Sequence, residues 1–443
     1  MEKTAPENVR PPGRSVQPSD VAKLILFSAV GLFMFFVPIT LGGTSSIPLD
    51  HLVTGIRNVL GPVVPYYALL VILLGAVYPF ARGTWKKDRV EQVFSILKVL
   101  GLITAAMLVF GFGPKWLFDP DLGPFLFEKL VIPVGLLVPV GSVFLALLVG
   151  YGLLEFVGVF LRPVMRRIWK TPGRSAIDAV ASFVGSYSIG LLITNRLYKE
   201  GYYNAKEAAI IATGFSTVSA TFMIVVAKTL GLMEHWNLYF WLTLFVTFAV
   251  TALSVRIWPL RGKRESYYDG KGTPEPEIRE RLLHHAWQEA LKASANAPSL
   301  AKNVWSNLRD GFVMTMAILP SIMSVGLIGL LLSKYTPLFD ILGYLYAPFT
   351  WLLQIPEPLL AAKAAAVEIA EMFLPALLVA EAPLVTKMII GIVSVSAILF
   401  FSASIPCILS TEIPISIWEL LVIWVERTIL TLLIATPLVY LLL

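Results

Sequence analysis

Apolar runs at residues 24–41, 63–81, 130–154 and 238–255 approach or exceed the roughly 18 residues a helix needs to cross a bilayer. A soluble domain has no place for so many. Only 14% of the residues are charged, against about 25% in soluble domains, so the chain cannot cover this apolar surface with a polar one. The chain therefore reads as a polytopic, all-α integral membrane protein.

A formal net charge of +6 raises nucleic acid as a partner. The basic residues instead cluster just outside apolar segments, where the positive-inside rule places cytoplasmic loops, so the charge reads as topology. Lys3, Arg10, Arg14 and Lys23 precede the first helix. Arg82, Lys86, Lys87 and Arg89 follow the second, which puts the N-terminus in the cytoplasm. Helices at about 93–112 and 130–154 then carry the chain out and back to Arg162, Arg166, Arg167, Lys170 and Arg174. The first twenty residues mix both charge signs with prolines, unlike a cleavable signal peptide, so the first helix is expected to remain attached. The single cysteine, Cys407, excludes an internal disulfide framework, and four scattered histidines do not suggest a zinc site.

The next stretch, 175–192, is long enough for one crossing. One crossing would leave the following basic loop, with Arg256, Arg261, Lys263, Arg264 and Lys271, on the outer side. A re-entrant hairpin at 175–192, followed by crossings at 208–227 and 238–255, restores it to the cytoplasm. The hairpin centre, Gly185, Ser186, Tyr187, Ser188, Ile189 and Gly190, is a poor helix interior. Non-helical backbone at that depth must be buried in protein or line a wet cavity. Residues 259–309 form the long polar segment, with a helix expected at 276–297 on the cytoplasmic face. Its adjacent His284 and His285 do not share a helical face and read as surface residues.

The parts then recur. Gly158, Pro163 and Pro172 are echoed by Gly343, Pro348 and Pro356. Each set precedes a hairpin candidate, 175–192 and then 359–379, and a helix with a hydroxyl-rich interruption, 214–221 and then 401–407. Segment 159–170 is rich in arginine, whereas 344–353 holds no basic residue. One intervening crossing, 311–332, would invert the second copy relative to the first. Inverted repeats with interrupted helices are a plan of secondary transporters, which hold substrate near the midplane.

This succession of interfacial helix, hairpin, broken helix and crossing resembles the nucleoside-recognition Gate architecture of concentrative nucleoside transporters and of the membrane part of ferrous iron transporters. Residues 150–231 look most like the Gate segment of YjiH-like membrane proteins. The resemblance implies a central site where two hairpin tips and two helix breaks meet. Matching positions are Gly185, Ser186, Tyr187 and Ser188 at the first tip, with Ser216, Thr217, Ser219 and Thr221 at the first break. On the second side they are Glu368 and Glu371 at the hairpin, with Ser402, Ser404 and Thr411 at the break. The glutamine-threonine-glutamate and asparagine-glutamate-phenylalanine patterns of nucleoside transporter binding loops do not occur here. The resemblance also admits a second Gate-type membrane subunit or a homo-oligomer as partner.

Glu368 and Glu371, three positions apart, are expected on one helical face of an apolar segment. Buried carboxylates in a membrane mark a pathway, a proton relay or an ionic partner, with Lys363 and Lys387 as the nearby alternatives for pairing. The two glutamates suit an amine-bearing solute or a coupling ion, Na+ or H+, and no cofactor is called for. Asp178 reads as a helix cap or a partner of Arg174. Glu426 and Arg427, adjacent in an apolar run, are expected to find separate partners, with an ionic anchor as their role. No phosphate-binding Gly-x-x-x-x-Gly-Lys-Ser/Thr loop and no Gly-x-Ser-x-Gly elbow occurs.

The expected organisation is a polar tail (1–20), four transmembrane helices (21–154), a first Gate repeat (155–258), a cytoplasmic loop (259–310), and a linking helix with an inverted second repeat (311–443). Span lengths give roughly nine crossings plus two hairpins. The expected function is secondary transport of a nucleoside, amino acid, peptide or amine in a bacterial inner membrane, without ATP and without catalysis. The alternative is a partner-dependent Gate-type subunit or solute sensor.

Overall fold

The computed structural model describes residues 17–443 except 87–88, 121, 185–186, 271, 273–281 and 410. It is helical apart from one small strand pair. The N-terminal part contains α1 (Pro18–Phe36), α2 (Pro48–Leu60), α3 (Val64–Arg82), α4 (Arg89–Phe110), α5 (Gly123–Leu126) and α6 (Ile132–Val149). Pro38 follows α1 closely, and a proline restricts the residue before it to extended backbone, so helix cannot continue to residue 41. Instead β1 (Ile39–Leu41) and β2 (Thr44–Ser46) pair antiparallel across a Gly42-Gly43 turn. The apolar run at 130–154 is likewise divided. Helix α6 stops at Val149, and Gly152 at φ 105° turns the chain into α7 (Leu153–Val164).

After α7 come two short helices, α8 (Ser175–Val184) and α9 (Tyr187–Lys199), then α10 (Ala205–Gly214), α11 (Ala220–Thr229) and α12 (Trp236–Ser254). Helix α13 (Leu282–Asn296) packs on α1 and α7, where Ser294 Oγ donates to Asp20 O at 2.7 Å. It leads into α14 (Leu300–Tyr335), the longest helix, whose 36 residues exceed the about 20 a crossing requires. The last part contains α15 (Leu338–Gly343), α16 (Ala347–Leu352), α17 (Pro358–Val367), α18 (Leu374–Leu378), α19 (Leu384–Ser396), α20 (Ser404–Leu409) and α21 (Ile417–Leu442). Helix α14 packs against α3, α4 and α6. At Gly75 of α3 an added Cβ would lie 1.8 Å from Met316 O, so only glycine allows this approach. That carbonyl is the one Pro320 cannot bond within α14, because proline lacks an N–H.

Among the described residues, five helical stretches are long and apolar enough to cross a membrane: Pro18–Phe36, Pro48–Arg82, Glu91–Phe110, Met233–Ser254 and Leu300–Tyr335. The chain is thus a multi-spanning, all-α membrane protein. Helices α11, α17 and α19 are apolar but only 10–13 residues long.

Candidate functional site

Helices α8 and α9 pack together with residues 182 and 190, and 178 and 194, opposite one another. An added Cβ on Gly190 would sit 1.7 Å from Ser182 Oγ, and Thr194 reaches Asp178. Pairs with a constant index sum are the register of an antiparallel helical pair. Asp178 is buried and accepts from Tyr203 Oη at 2.6 Å, so its partner is a phenol as well as the neighbouring Arg174. Gly185 and Ser186 lie outside the described residues, and Ser188 falls in the first turn of α9.

The first helix break spans residues 215–219, between α10 and α11. Ser219 N-caps α11, accepting from Phe222 N at 3.4 Å, and its hydroxyl lies 2.8 Å from that of Thr221. Ser216 Oγ makes only a long bond to Ile211 O, and Thr217 Oγ1 is buried without a partner among the described residues. In the second half, α17 ends at Val367 and α19 at Ser396. Both expected glutamates therefore occupy the turn between α17 and α18, not one helical face. The break after α19 also lies earlier than expected, at 397–403, and Ser404 is already helical. The turn at its end is held there: Phe401 N donates to Ile369 O at 2.7 Å and Ser402 N to Ala370 O at 3.0 Å. The α17–α18 turn and the break after α19 are thus joined main chain to main chain.

The two carboxylates diverge. Glu371 accepts from Ser402 Oγ, whereas Glu368 accepts from Trp424 Nε1 at 2.5 Å and neighbours Arg427. Arg427 is fully buried. Its Nε and one terminal nitrogen donate to Ser396 O, the cut end of α19, at 3.0 and 2.7 Å. Its other terminal nitrogen donates to Thr251 Oγ1 at 3.0 Å, and that hydroxyl lies 2.9 Å from Gly214 O, the cut end of α10. A guanidinium fork suits this task, offering donors in a fixed plane where helix carbonyls carry partial negative charge.

A cavity of about 630 Å³ lies between these parts. Its wall includes Tyr187 at the start of α9, Val218 and Ser219 at the first break, Phe222 in the first turn of α11, Glu371 and Met372 in the α17–α18 turn, and Phe400, Ser402 and Ala403 at the second break. Of the positions expected from sequence, Tyr187, Ser219, Glu371 and Ser402 thus share one wall. Ser216, Thr217, Thr221, Glu368 and Ser404 are buried but do not line it. Thr411 Oγ1 donates to Ile408 O at 2.6 Å at the end of α20, also away from the wall.

Much of the remaining wall comes from outside the two expected repeats. Helix α4 contributes Glu91, Phe94 and Lys98, α6 contributes Ser142, and α14 contributes Asn303, Asn307 and Asp310. Sequence reasoning passed over these residues. Lys98 was the available signal, a cation well inside the apolar run of α4.

Comparison with known proteins gives this geometry a family. The Gate family, described as nucleoside recognition, matches residues 131–233, from the approach to α6 through α11. An uncharacterized protein of Alkalihalophilus pseudofirmus is 34% identical over 438 residues, covering 93% of this chain and 92% of its own. The chain belongs to the YjiH-like family of Gate-domain membrane proteins. The sporulation integral membrane protein YlbJ of Bacillus subtilis is 28% identical over 198 residues, 43% of this YjiH-like chain and 48% of YlbJ. Membership in this Gate-type family supports a non-enzymatic, transporter-like role for the YjiH-like chain.

Proposed function

We propose that this chain is a secondary transporter that moves a small polar solute through the cavity by alternating access, in the bacterial inner membrane. The observation that carries the reading is the composition of the cavity wall. Residues from α9, α11 and both break segments converge there with Glu371, although they lie far apart in sequence. Half-helices ending at a central cavity offer a solute main-chain groups and helix ends, the arrangement transporters place at the bilayer midplane.

The order α7, α8–α9, α10–α11, α12 is matched by α15–α16, α17–α18, α19–α20, α21. In this proposal the two sets are inverted repeats, each with a re-entrant hairpin and a broken helix. The arginine-rich turn after α7 and the surface of α15 and α16, which carries no basic residue, then face opposite sides of the membrane, with the N-terminus cytoplasmic. Exchange of conformation between the repeats opens the cavity first to one side and then to the other. A proton or Na+ at Glu371 would couple the cycle to an ion gradient.

Uptake by the purified chain in proteoliposomes tests the proposal, with an imposed pH or Na+ gradient and a panel of nucleosides, amino acids, dipeptides and amines. Gradient-dependent accumulation of one class is the expected result. Solute binding with no flux would instead identify a subunit that needs a partner to transport.

A further inference from the structure

We infer that the solute held in the cavity is a zwitterion, an amino acid or short peptide, whose carboxylate is bound by Lys98 and whose ammonium is bound by Glu371. The inference takes the position of the site from the transporter reading and adds a recognition residue from α4, outside both Gate repeats.

Lys98 shares one stripe of α4 with Glu91 and Phe94, since positions i, i+3 and i+7 fall on the same helical face, and all three line the cavity. It is the only cation among the described lining residues, and it makes no direct hydrogen bond or ion pair among them. Its charged neighbour Glu91 is engaged in a further interaction of its own. A lysine set in an apolar spanning helix is costly unless an anion or water compensates it. Here the compensating space is the cavity.

Glu371 supplies the opposite pole. Its carboxylate is buried, anchored by Ser402 Oγ, and presented to the same cavity. Cys407 and Tyr187 link the poles: Cys407 is an electrostatic neighbour of both Lys98 and Tyr187, and Tyr187 of Glu371. Phe222 and Phe400 offer apolar wall to a side chain. Glu91 and Asp310 also line the wall, which thus carries three carboxylates and one cation among the described lining residues. An uncharged nucleoside would leave Lys98 and Glu371 unpaired, a polyamine would leave Lys98 without an anion, and a dicarboxylate would leave Glu371 without a cation. Only a solute carrying both charges satisfies each pole, and about 630 Å³ accommodates one of amino-acid to short-peptide size.

Cys407 makes the test possible without engineering, because it is the sole cysteine and lies in the cavity wall. The rate at which N-ethylmaleimide alkylates it in the purified full chain reports occupancy. The probes are phenylalanine and alanyl-phenylalanine, their C-terminal amides, uridine, spermidine and succinate. The acids are expected to slow alkylation, and the amides to need about tenfold or more higher concentration, the scale of one charge-assisted hydrogen bond. In Lys98→Met the gap between acid and amide should close, while Lys98→Arg should keep it. The comparison of acid with amide is made on the wild type, so it stands even if a variant folds poorly. The inference is overturned if the acids fail to protect, if acid and amide protect the wild type equally, or if the gap persists in Lys98→Met. Protection by the acids without proteoliposome flux would uphold it while removing the transporter reading.

Discussion

Arg427 donates to Thr251 Oγ1 at 3.0 Å, and through this contact the cut ends of two broken helices are held to one side chain. The carbonyl of Ser396 closes the arrangement from α19, and Thr431 Oγ1 adds a bond to Ser396 Oγ at 2.8 Å. Both breaks therefore share a support that lies behind the cavity wall and not in it.

Arg427→Met should lower the apparent unfolding temperature in detergent strongly. Removing one member of a buried charged arrangement costs about 3–5 kcal/mol, because the groups left behind lose their compensation. Arg427→Lys should recover little, since an ammonium cannot span Ser396 O and Thr251 Oγ1 as a planar fork does. Adding Glu368→Gln to Arg427→Met should cost less than the sum of the single changes. Additive losses in that cycle would show that Glu368 and Arg427 do not compensate one another.

Glu371→Gln and Glu368→Gln should separate in ligand binding. A solute that binds only the folded protein raises apparent stability with its occupancy, so thermal shift reads the site directly. The shift should vanish in Glu371→Gln, whose carboxylate lines the cavity, and persist in Glu368→Gln, whose carboxylate faces Trp424. The reverse pattern would place the site on the wrong side of the α17–α18 turn.

Gly190→Ala should disrupt the α8–α9 pair, because the new methyl would lie 1.7 Å from Ser182 Oγ. Overpacking of this kind costs about 1–3 kcal/mol. Ser182→Ala in the same chain should restore most of the lost unfolding temperature, since the nearest remaining side-chain atom, Ser182 Cβ, is then 3.0 Å away. No recovery would mean that the helices meet elsewhere.

Glu412 ties the end of α9 to the segment before α21. Lys199 Nζ donates to one carboxylate oxygen at 2.9 Å and Asn195 Nδ2 to the other at 2.6 Å. Lys199 and then Asn195 hold this carboxyl below the usual carboxylate range. A group with a depressed folded pKa stabilises fully above its unfolded value and loses that contribution as pH falls through the folded value. The difference in unfolding temperature between wild type and Glu412→Gln should thus be constant from about pH 8 to 5, begin to shrink below the ordinary glutamate value of about 4.3, and vanish only as pH falls through the lowered folded one. The effect should be small, because the pair is exposed. A gap that grows in acid would contradict this assignment.

Much of the architecture was legible in the chain because lipid imposes simple conditions. Long apolar runs announce spanning helices, and glycine, proline and clustered hydroxyls mark where a helix fails. The first break was expected at 214–221 and lies at 215–219, and the stretch 359–379 expected to interrupt the helix holds two short helices, α17 and α18. The second break lies earlier than expected because Phe401 N and Ser402 N donate to the carbonyls of Ile369 and Ala370, distant in sequence, and so cannot be placed from local composition.

What the sequence by itself determined is the solvent, the helical class and the order of parts, since each follows from local composition and from hydrogen bonds closed within a segment. Tertiary structure alone decided which side chains meet. Glu371 enters the cavity and Glu368 turns to Trp424 because both lie in the turn after α17, off the helical register, and Lys98 joins the wall because α4 packs beside α14 with that face inward. Each residue along a helix rotates the side chain by about 100°, so the direction a group faces is set by the helix's neighbours and not by the residue's own identity.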